Sequence, residues 1–219
     1  MERYEVNDLK RRLSHVLWIG GPPDCGKTTI ARELGQQFDL AVYHFDRSEL
    51  AHMNHADQQR QPALYAAHPE RMTPEVRWLG SDPAKMARDT IQSWSERFNM
   101  AIDELLAFPA TSRIIAEGPG FFPELVAPLL TDRSKAVWLL PTTAFKRESA
   151  TRRDKPGSRW ETSDPERAQR NLIERDLLMG EHVQRTAESL DLKIMLVDGS
   201  VGLDEMLKRV ESYFERWLG

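Results

Sequence analysis

Residues 21–28 read Gly-Pro-Pro-Asp-Cys-Gly-Lys-Thr, which places two glycines, a lysine and a threonine at the spacing Gly-x4-Gly-Lys-Thr. Glycines let the backbone curl so that successive N–H groups point at one anion, and a helix that starts at the lysine adds the positive end of its dipole. A lysine at this place reaches the outer phosphates of a nucleotide, and the threonine hydroxyl binds Mg²⁺. The pattern therefore predicts a loop that binds a nucleoside triphosphate.

We predict that this phosphate loop spans residues 20–28 and that nucleotide binding extends one residue further. The predicted nucleotide-binding residues are Gly21, Pro22, Pro23, Asp24, Cys25, Gly26, Lys27, Thr28 and Thr29. Lys27 is also a predicted catalytic residue, and Thr28 is a predicted Mg²⁺ ligand. The expected cofactors are ATP or GTP together with Mg²⁺. Cys25 lies beside phosphate-binding amides, where its pKa could be lowered, or it is simply a small residue that the loop tolerates.

Two carboxylates come directly after short apolar runs that we predict to be strands. Asp46 follows the run from Leu40 to Phe45, and Glu117 follows the run from Arg113 to Ala116. Ligands of open parallel sheets collect beyond the carboxyl ends of the strands, so both side chains should lie beside the phosphate loop. Phosphoryl transfer uses Mg²⁺ and often a carboxylate that accepts a proton, and these two residues are the candidates. A helix cap or a structural ion pair is the alternative for each.

The elements that must position these residues alternate between strands and helices. Five apolar runs are predicted strands: Val16–Gly20, Leu40–Phe45, Arg113–Ala116, Ala136–Leu140 and Lys193–Val197. Helical spacing of apolar residues predicts helices over 27–38, from 83 to about 109, from 165 to about 190, and over 201–217. This alternation predicts an α/β protein with three α/β/α layers and a five-stranded parallel sheet. Together with the phosphate loop it resembles the P-loop NTPase fold, and the resemblance implies a helical lid.

Composition sets the limits for the chain as a whole. Its 219 residues, with 40% hydrophobic and 29% charged side chains, predict one globular domain over residues 1–219. The formal net charge of −4 argues against a general nucleic-acid coat protein and leaves a local phosphate-binding patch open. Cys25 is the one cysteine, which excludes an intramolecular disulfide. The N-terminal residues lack an apolar signal-peptide core, so a cytoplasmic location and no membrane association are expected.

Two segments are expected to contact the substrates. Residues 145–162 are rich in basic side chains, namely Lys146, Arg147, Arg152, Arg153, Lys155 and Arg159, and resemble a mobile lid. Arg152 and Arg153 are predicted catalytic residues, because lid arginines stabilise charge on the transferred phosphoryl group; a solvated helix face is the alternative. The acceptor is expected to bind among residues 47–108, where Arg97 and its polar neighbours on the long helix face either substrate or water. Residues 47–80 give no firm secondary-structure prediction.

The order of these motifs resembles the nucleoside and nucleotide kinase group of P-loop proteins over nearly the whole chain. The step Asp46-Arg47 is similar to small-molecule phosphotransferases such as chloramphenicol phosphotransferase, to zeta-toxin-type kinases and to polynucleotide 5′-kinases. The resemblance implies that Asp46 is the general base and that Glu117 binds Mg²⁺ or its water shell, with the base as a second role for Glu117. The turn at 197–201 is similar to the turn that packs against adenine, and an ordinary strand-to-helix turn is the alternative.

The function expected from the sequence is ATP-dependent phosphoryl transfer to a small molecule, such as a nucleoside, nucleotide, sugar or antibiotic hydroxyl. Alternatives are a nucleotide-dependent switch or ATPase module and a polynucleotide 5′-end kinase. The expected partners are a nucleoside triphosphate and a small acceptor, with nucleic acid disfavoured but left open. The chain is expected to be a monomer or a homodimer.

Overall fold

The computed structural model describes residues 5–109, 111–152 and 157–219, with the side chains of 151 and 152 left aside. Five strands form one sheet in the order β2-β3-β1-β4-β5, and every neighbouring pair is parallel. The strands are β1 Val16–Gly20, β2 Ala41–His44, β3 Ile114–Glu117, β4 Ala136–Pro141 and β5 Lys193–Val197. All five residues of the central β1 are buried, as expected for a strand covered on both faces.

Ten α-helices connect and cover these strands within the described part of the chain. They are α1 Val6–Arg12, α2 Lys27–Phe38, α3 Glu49–Asn54, α4 Pro62–Ala66, α5 Pro74–Leu79, α6 Pro83–Leu106, α7 Pro123–Val126, α8 Thr143–Arg152, α9 Pro165–Ser189 and α10 Leu203–Leu218. The two longest helices start as the sequence predicts. Asp82 accepts a hydrogen bond from the backbone N–H of Lys85, and Asp164 accepts one from that of Arg167, each with proline at the first turn.

Two hydrophobic cores lie on opposite faces of the sheet. One contains residues of α1, α6, α7 and α9, including Phe98 and Val183. The other contains residues of α2 and α10, including Leu34 and Phe214. The predicted fold class, three α/β/α layers around five parallel strands, is therefore confirmed. Phe98 of α6 is 2% exposed and packs in the first of these cores.

The segment between β2 and α6 has more helix than the sequence pattern indicated. Three short helices, α3, α4 and α5, occupy the region for which no firm structure was predicted. The third begins where Thr73 accepts a hydrogen bond from the Val76 N–H, followed by Pro74. These helices are too short to display an apolar repeat, and only the Thr73 cap of α5 and the prolines at the first turns of α4 and α5 indicate them. Among the described residues, no helix has the length and apolar character needed to cross a bilayer.

Candidate active site

The phosphate loop runs from the end of β1 into α2 with backbone conformations that its glycines permit. Gly21 has φ 120° and Gly26, the cap of α2, has φ 82°. A Cβ on Gly21 would lie 2.0 Å from the backbone oxygen of Leu139 in β4, so a side chain cannot fit there. Asp24 also has positive φ, at 73°, although it carries a side chain. This conformation curls the loop around the start of α2.

Lys27 and the two threonines of the loop lie in the first turn of α2. Lys27 is the first residue of α2, is only 6% exposed, and donates from Nζ to the backbone oxygen of Pro22 at 2.8 Å. Thr28 and Thr29 follow on the first turn of the helix and are exposed. The lysine therefore lies folded along its own loop, with its ammonium group beside the loop backbone.

A cavity of about 610 Å³ opens beside this loop. Its lining includes Pro23, Asp24, Cys25, Gly26, Lys27, Thr28, Thr29, Asp46 and Glu117. The structure thus brings both predicted carboxylates and most of the predicted loop residues to one space, while Gly21 and Pro22 lie outside the lining. The turn formed by Val197, Asp198, Gly199 and Val201 also lines the cavity, as do Phe145 and Glu148 of α8.

Glu117 lies at the end of β3 and is held by two neighbours. Its Oε1 accepts a hydrogen bond from the Thr28 hydroxyl at 3.1 Å and lies 2.6 Å from Nδ1 of His44. His44 and Glu117 are register partners in the parallel pair of β2 and β3, which places their side chains next to each other. His44 was missed at the sequence level. Its spacing of two residues from Asp46 was the available signal, but the contact depends on the strand register.

The group formed by Thr28 and Glu117 has the chemistry of a Mg²⁺ site. A hydroxyl and a carboxylate, both oxygen donors, meet at the wall of the cavity, and Mg²⁺ typically takes one or two such protein ligands beside water and substrate phosphates. The described residues contain no cluster of three or more His, Cys, Asp or Glu side chains that could hold a metal. A magnesium ion that also depends on nucleotide phosphates fits this sparse donor set.

Asp46 lies just after β2, in a short 3-10 turn formed by Phe45–Ser48. Its side chain is exposed to the cavity, but protein atoms crowd its other sides. This partial desolvation raises the pKa of Asp46, and the negative charges of Glu49 and Glu117 act in the same direction against Lys27 and Arg97. A carboxylate with a raised pKa is a better proton acceptor, so the environment suits a general base.

The expectation that Arg97 faces substrate or water is wrong. The helical pattern placed it on the polar side of α6, facing substrate or water, but its side chain is fully buried. Its guanidinium group lies 3.8 Å from the centre of the Phe45 ring, and Nη1 is 3.2 Å from Glu49. Burial lowers the pKa of Arg97, while Glu49 and Asp46 oppose that effect. The residue fixes the backbone before Asp46, because Nη2 donates to the oxygen of Phe45.

A chain of polar contacts continues from Arg97 below the cavity. Its Nε donates to Nδ1 of His52 at 3.1 Å, and Nε2 of His52 is 3.1 Å from Glu104. Glu104 also accepts a hydrogen bond from the Tyr43 hydroxyl at 2.6 Å. Because Nδ1 of His52 is the acceptor, its proton must lie on Nε2. Burial lowers the pKa of His52, which favours this neutral form.

The lid segment is only partly described. Its first half is α8, where Lys146 is fully buried rather than solvated, in contrast to the expectation of a mobile basic segment. Arg147 forms an ion pair with Glu174 of α9 at 2.6 Å, and Arg159 is buried. The predicted catalytic residues Arg152 and Arg153 fall outside the described side chains and residues, respectively. The lid role of the segment stays a prediction.

Lys146 contacts the phosphate loop directly. Its Nζ lies 2.9 Å from Asp24 and 2.6 Å from Asp176 of α9. Burial alone would lower the pKa of Lys146, but the two carboxylates outweigh it and the pKa is raised. No sequence pattern indicates this contact, because the three residues are far apart along the chain.

Cys25 has the opposite character from an activated thiol. Its side chain is 3% exposed, and Sγ donates to the backbone oxygen of Pro22 at 2.7 Å. Burial raises the pKa of Cys25 to about 11, which outweighs the influence of Lys27 and Lys146. Of the two interpretations of Cys25, the structure supports a small packed residue of the loop and not a thiol with a lowered pKa.

Comparison with known proteins gives one family match. The model of the ATPase family associated with various cellular activities (AAA) matches residues 17–108, which is less than half of the chain. This range contains the phosphate loop, Asp46 and α6. No curated protein matches the chain.

Two solved structures resemble the fold over most of their length. An uncharacterized protein from Eubacterium ventriosum is 12% identical, with a TM-score of 0.43, and the match covers 92% of this chain and 98% of that one. Shikimate kinase from Acinetobacter baumannii, solved with shikimate, is 15% identical, with a TM-score of 0.44 and coverage of 94% and 98%.

Proposed function

We propose that this protein is a Mg²⁺-dependent phosphotransferase that moves the γ-phosphoryl group of ATP or GTP to a hydroxyl group of a small molecule. The observation that carries the proposal is the meeting of Lys27, Asp46 and Glu117 on one cavity of about 610 Å³ beside the phosphate loop. A cavity of that volume suits small-molecule ligands. Its lining combines a phosphate-binding loop with a carboxylate that is not part of the predicted metal site.

In the proposed reaction the loop amides and Lys27 bind the phosphates and neutralise the charge that builds up on them. Asp46 accepts the proton of the acceptor hydroxyl. The acceptor oxygen then forms its bond to the γ-phosphorus while the bond from that phosphorus to the bridging oxygen breaks, and the electron pair leaves with the nucleoside diphosphate. The raised pKa of Asp46 supports this role, because it moves the carboxyl group toward the working pH of a general base.

Thr28 and Glu117 would hold Mg²⁺, which supplies positive charge to the phosphates when it is bound. His44 would keep the Glu117 carboxylate in place through its 2.6 Å contact. Arg152 and Arg153 are proposed to act from the lid on the transferred group, and the acceptor is proposed to contact α3 to α6. We also propose that the turn at 197–201 lies beside the nucleotide base, since it lines the same cavity.

The first experiment measures nucleotide binding. Titration with a fluorescent ATP analogue, with and without MgCl₂, should give saturable binding that Mg²⁺ strengthens. Lys27→Met should weaken it by roughly tenfold or more, because it removes a charge beside the loop. Lys208→Met removes the same charge from an exposed position on α10 and should leave binding unchanged. Equal binding by wild type and Lys27→Met would contradict the predicted nucleotide site.

The second experiment identifies transfer. Release of ADP is measured across a library of hydroxyl compounds, and transfer is verified by the appearance of label from γ-³²P-ATP in an organic product. Acceptor-dependent release in the wild type should fall in Asp46→Asn. If ADP forms at the same rate with every compound and all label appears as inorganic phosphate, the proposed transfer is wrong.

That last outcome describes the second candidate function, an ATPase module. The AAA match over residues 17–108 favours it, because the matched range contains the whole phosphate loop. An ATPase transfers the phosphoryl group to water and needs no organic acceptor. The fate of the label therefore separates the two functions directly.

A further inference from the structure

Asp24 is an acidic residue inside a loop that is built to bind anions. It is part of the cavity lining, and its side chain is 13% exposed. A carboxylate in this place repels phosphate groups, since two negative charges a few ångströms apart oppose each other strongly in partly desolvated surroundings. A loop with this residue needs a compensating positive charge before it can receive a polyphosphate.

Lys146 supplies a charge at the right place. Its side chain is 0% exposed, and its Nζ is 2.9 Å from Asp24 and 3.4 Å from the backbone oxygen of Pro23. It projects from α8, an element that follows β4 and is remote in sequence from the loop. A fully buried lysine must be paired, because an isolated ammonium group is costly to remove from water.

Asp176, the other partner of Lys146, is also paired with a second basic residue. Asp176 is 2.6 Å from Nζ, but its second carboxylate oxygen already accepts two hydrogen bonds from Arg175, at 3.0 Å and 2.6 Å. The four side chains therefore alternate in sign: Asp24, Lys146, Asp176 and Arg175. Asp176 with Arg175 forms one neutral pair, and Lys146 with Asp24 forms the other.

We propose that Lys146 is a positioning residue of the nucleotide site, which neutralises Asp24 and holds it against α8 so that the phosphate loop can accept a polyphosphate. The inference rests on the proposed nucleotide binding. It also makes α8, which forms the first half of the lid segment, part of the binding site for phosphates. A purely structural ion pair would stabilise the fold without tuning affinity for the nucleotide.

A series of charge variants separates these two roles. Asp24→Asn removes the negative charge of the pair, Lys146→Met removes the positive charge, and the double variant removes both. Asparagine suits Asp24 well, since it has the same shape and tolerates positive φ. Asp176 keeps its bonds to Arg175 in all three variants.

The affinity for MgATP is expected to follow the charge of this pair. Asp24→Asn should bind about five- to tenfold more tightly than wild type and Lys146→Met about five- to tenfold more weakly, as expected for the loss of one partly desolvated charge beside the phosphate loop. The double variant should return to within about twofold of wild type. Raising the salt concentration should reduce the differences in affinity between the variants, because dissolved ions screen the charges that cause them.

Asp191→Asn is the matched control. Asp191 also has positive φ, at 52°, and is paired with a basic residue, Arg133, at 2.8 Å. It precedes β5 and thus lies at the opposite end of the sheet from the phosphate loop. Its substitution should leave nucleotide affinity unchanged, which shows that net charge alone does not move the result.

The outcomes are distinct. Tighter binding by Asp24→Asn, together with recovery in the double variant, supports the inference. Equal or weaker binding by Asp24→Asn overturns it, and this result can be obtained even if Lys146→Met does not fold. If wild type binds no nucleotide, the proposed function fails first. If wild type binds nucleotide and all three variants bind it with the same affinity, the proposed function stands and the proposed role of Lys146 is wrong.

Discussion

Replacement of Asp46 by asparagine tests the environment of the proposed base without the need for a known acceptor. Four charged neighbours act on the carboxylate: Glu49 and Glu117 raise its pKa, whereas Lys27 and Arg97 lower it. Two charges of each sign largely offset each other, so desolvation determines the direction, and the pKa is raised. The charged form is therefore disfavoured in the folded state, and an uncharged asparagine of the same shape should stabilise the protein at neutral pH.

The expected gain is small, because Asp46 faces water in the cavity. A partly solvated charge contributes only modestly to stability, so the gain should be about 0.5–1 kcal/mol. In a chain of this length such a gain raises Tm by about 1–4 °C. Below the ordinary aspartate pKa of 3.8 the carboxyl group is uncharged in both the folded and the unfolded state, so the difference should vanish there. It should appear as the pH rises through the folded-state pKa.

The same variant should lose activity. Removal of a general base typically costs a factor of about 10²–10⁴ in rate, and the acid-side limb of the pH profile that depends on Asp46 should disappear with it. The assay is a pair of thermal melts at pH 7 and at low pH, followed by acceptor-dependent turnover across pH. A variant that melts lower than wild type at pH 7 would refute the reasoning about its environment. A variant that keeps full turnover would refute the role as base.

Three further predictions concern the loop and its support. Gly21→Ala should lower the free energy of unfolding by about 3 kcal/mol or more, because a Cβ at this position would lie 2.0 Å from a backbone atom. A thermal melt should show a large fall in Tm. In the control Gly26→Ala the Cβ meets only a side chain, at 3.1 Å, and the cost should be about 1–2 kcal/mol. Mg²⁺ should strengthen nucleotide binding about tenfold less in His44→Leu than in wild type, because the contact with Glu117 is lost. His44→Asn keeps a donor toward Glu117 and should retain most of the Mg²⁺ effect. An equal loss in both variants would contradict the role of this contact. Cys25 should react with a thiol reagent at pH 8 about 100-fold more slowly than an ordinary thiol, given a pKa of about 11 against 9.0, and rapid labelling of native protein would show that it is not packed.

The phosphate loop and the two carboxylates could be located from the sequence because each depends on local order. The glycine spacing defines the loop, and Asp46 and Glu117 follow apolar runs that end at the same edge of a parallel sheet. The structure places both carboxylates and the loop from Pro23 onward on one cavity. Their chemical roles stay predictions, since geometry alone does not measure proton transfer or metal binding.

The supporting contacts depend on tertiary structure and could not be found in the same way. His44 reaches Glu117 because β2 and β3 are in register, and register is not encoded in either run alone. Arg97 lies inside the protein because Phe45 and His52 accept it there, although helical periodicity assigns it to a polar face. Lys146 meets Asp24 across 122 positions of sequence. A charged side chain is buried where oppositely charged groups or hydrogen-bond partners lie, and a pattern of hydrophobicity does not show where those partners are.

Phe45 has a consequence for how the chain could change its substrate. The ring has no exposure, lies against Phe121 at 5.1 Å between centroids, and is covered by the guanidinium group of Arg97. The residue before the proposed base is thus anchored in the interior of the protein, and the helices that follow it carry the surface proposed to contact the acceptor. Arg97 of α6 is one of these anchors, so replacement of that surface need not displace the carboxylate only where this arginine is kept. The proposed acceptor segment is then exchangeable around a fixed arginine, and chimaeras that join a new segment after residue 48 must supply an arginine at the place of Arg97.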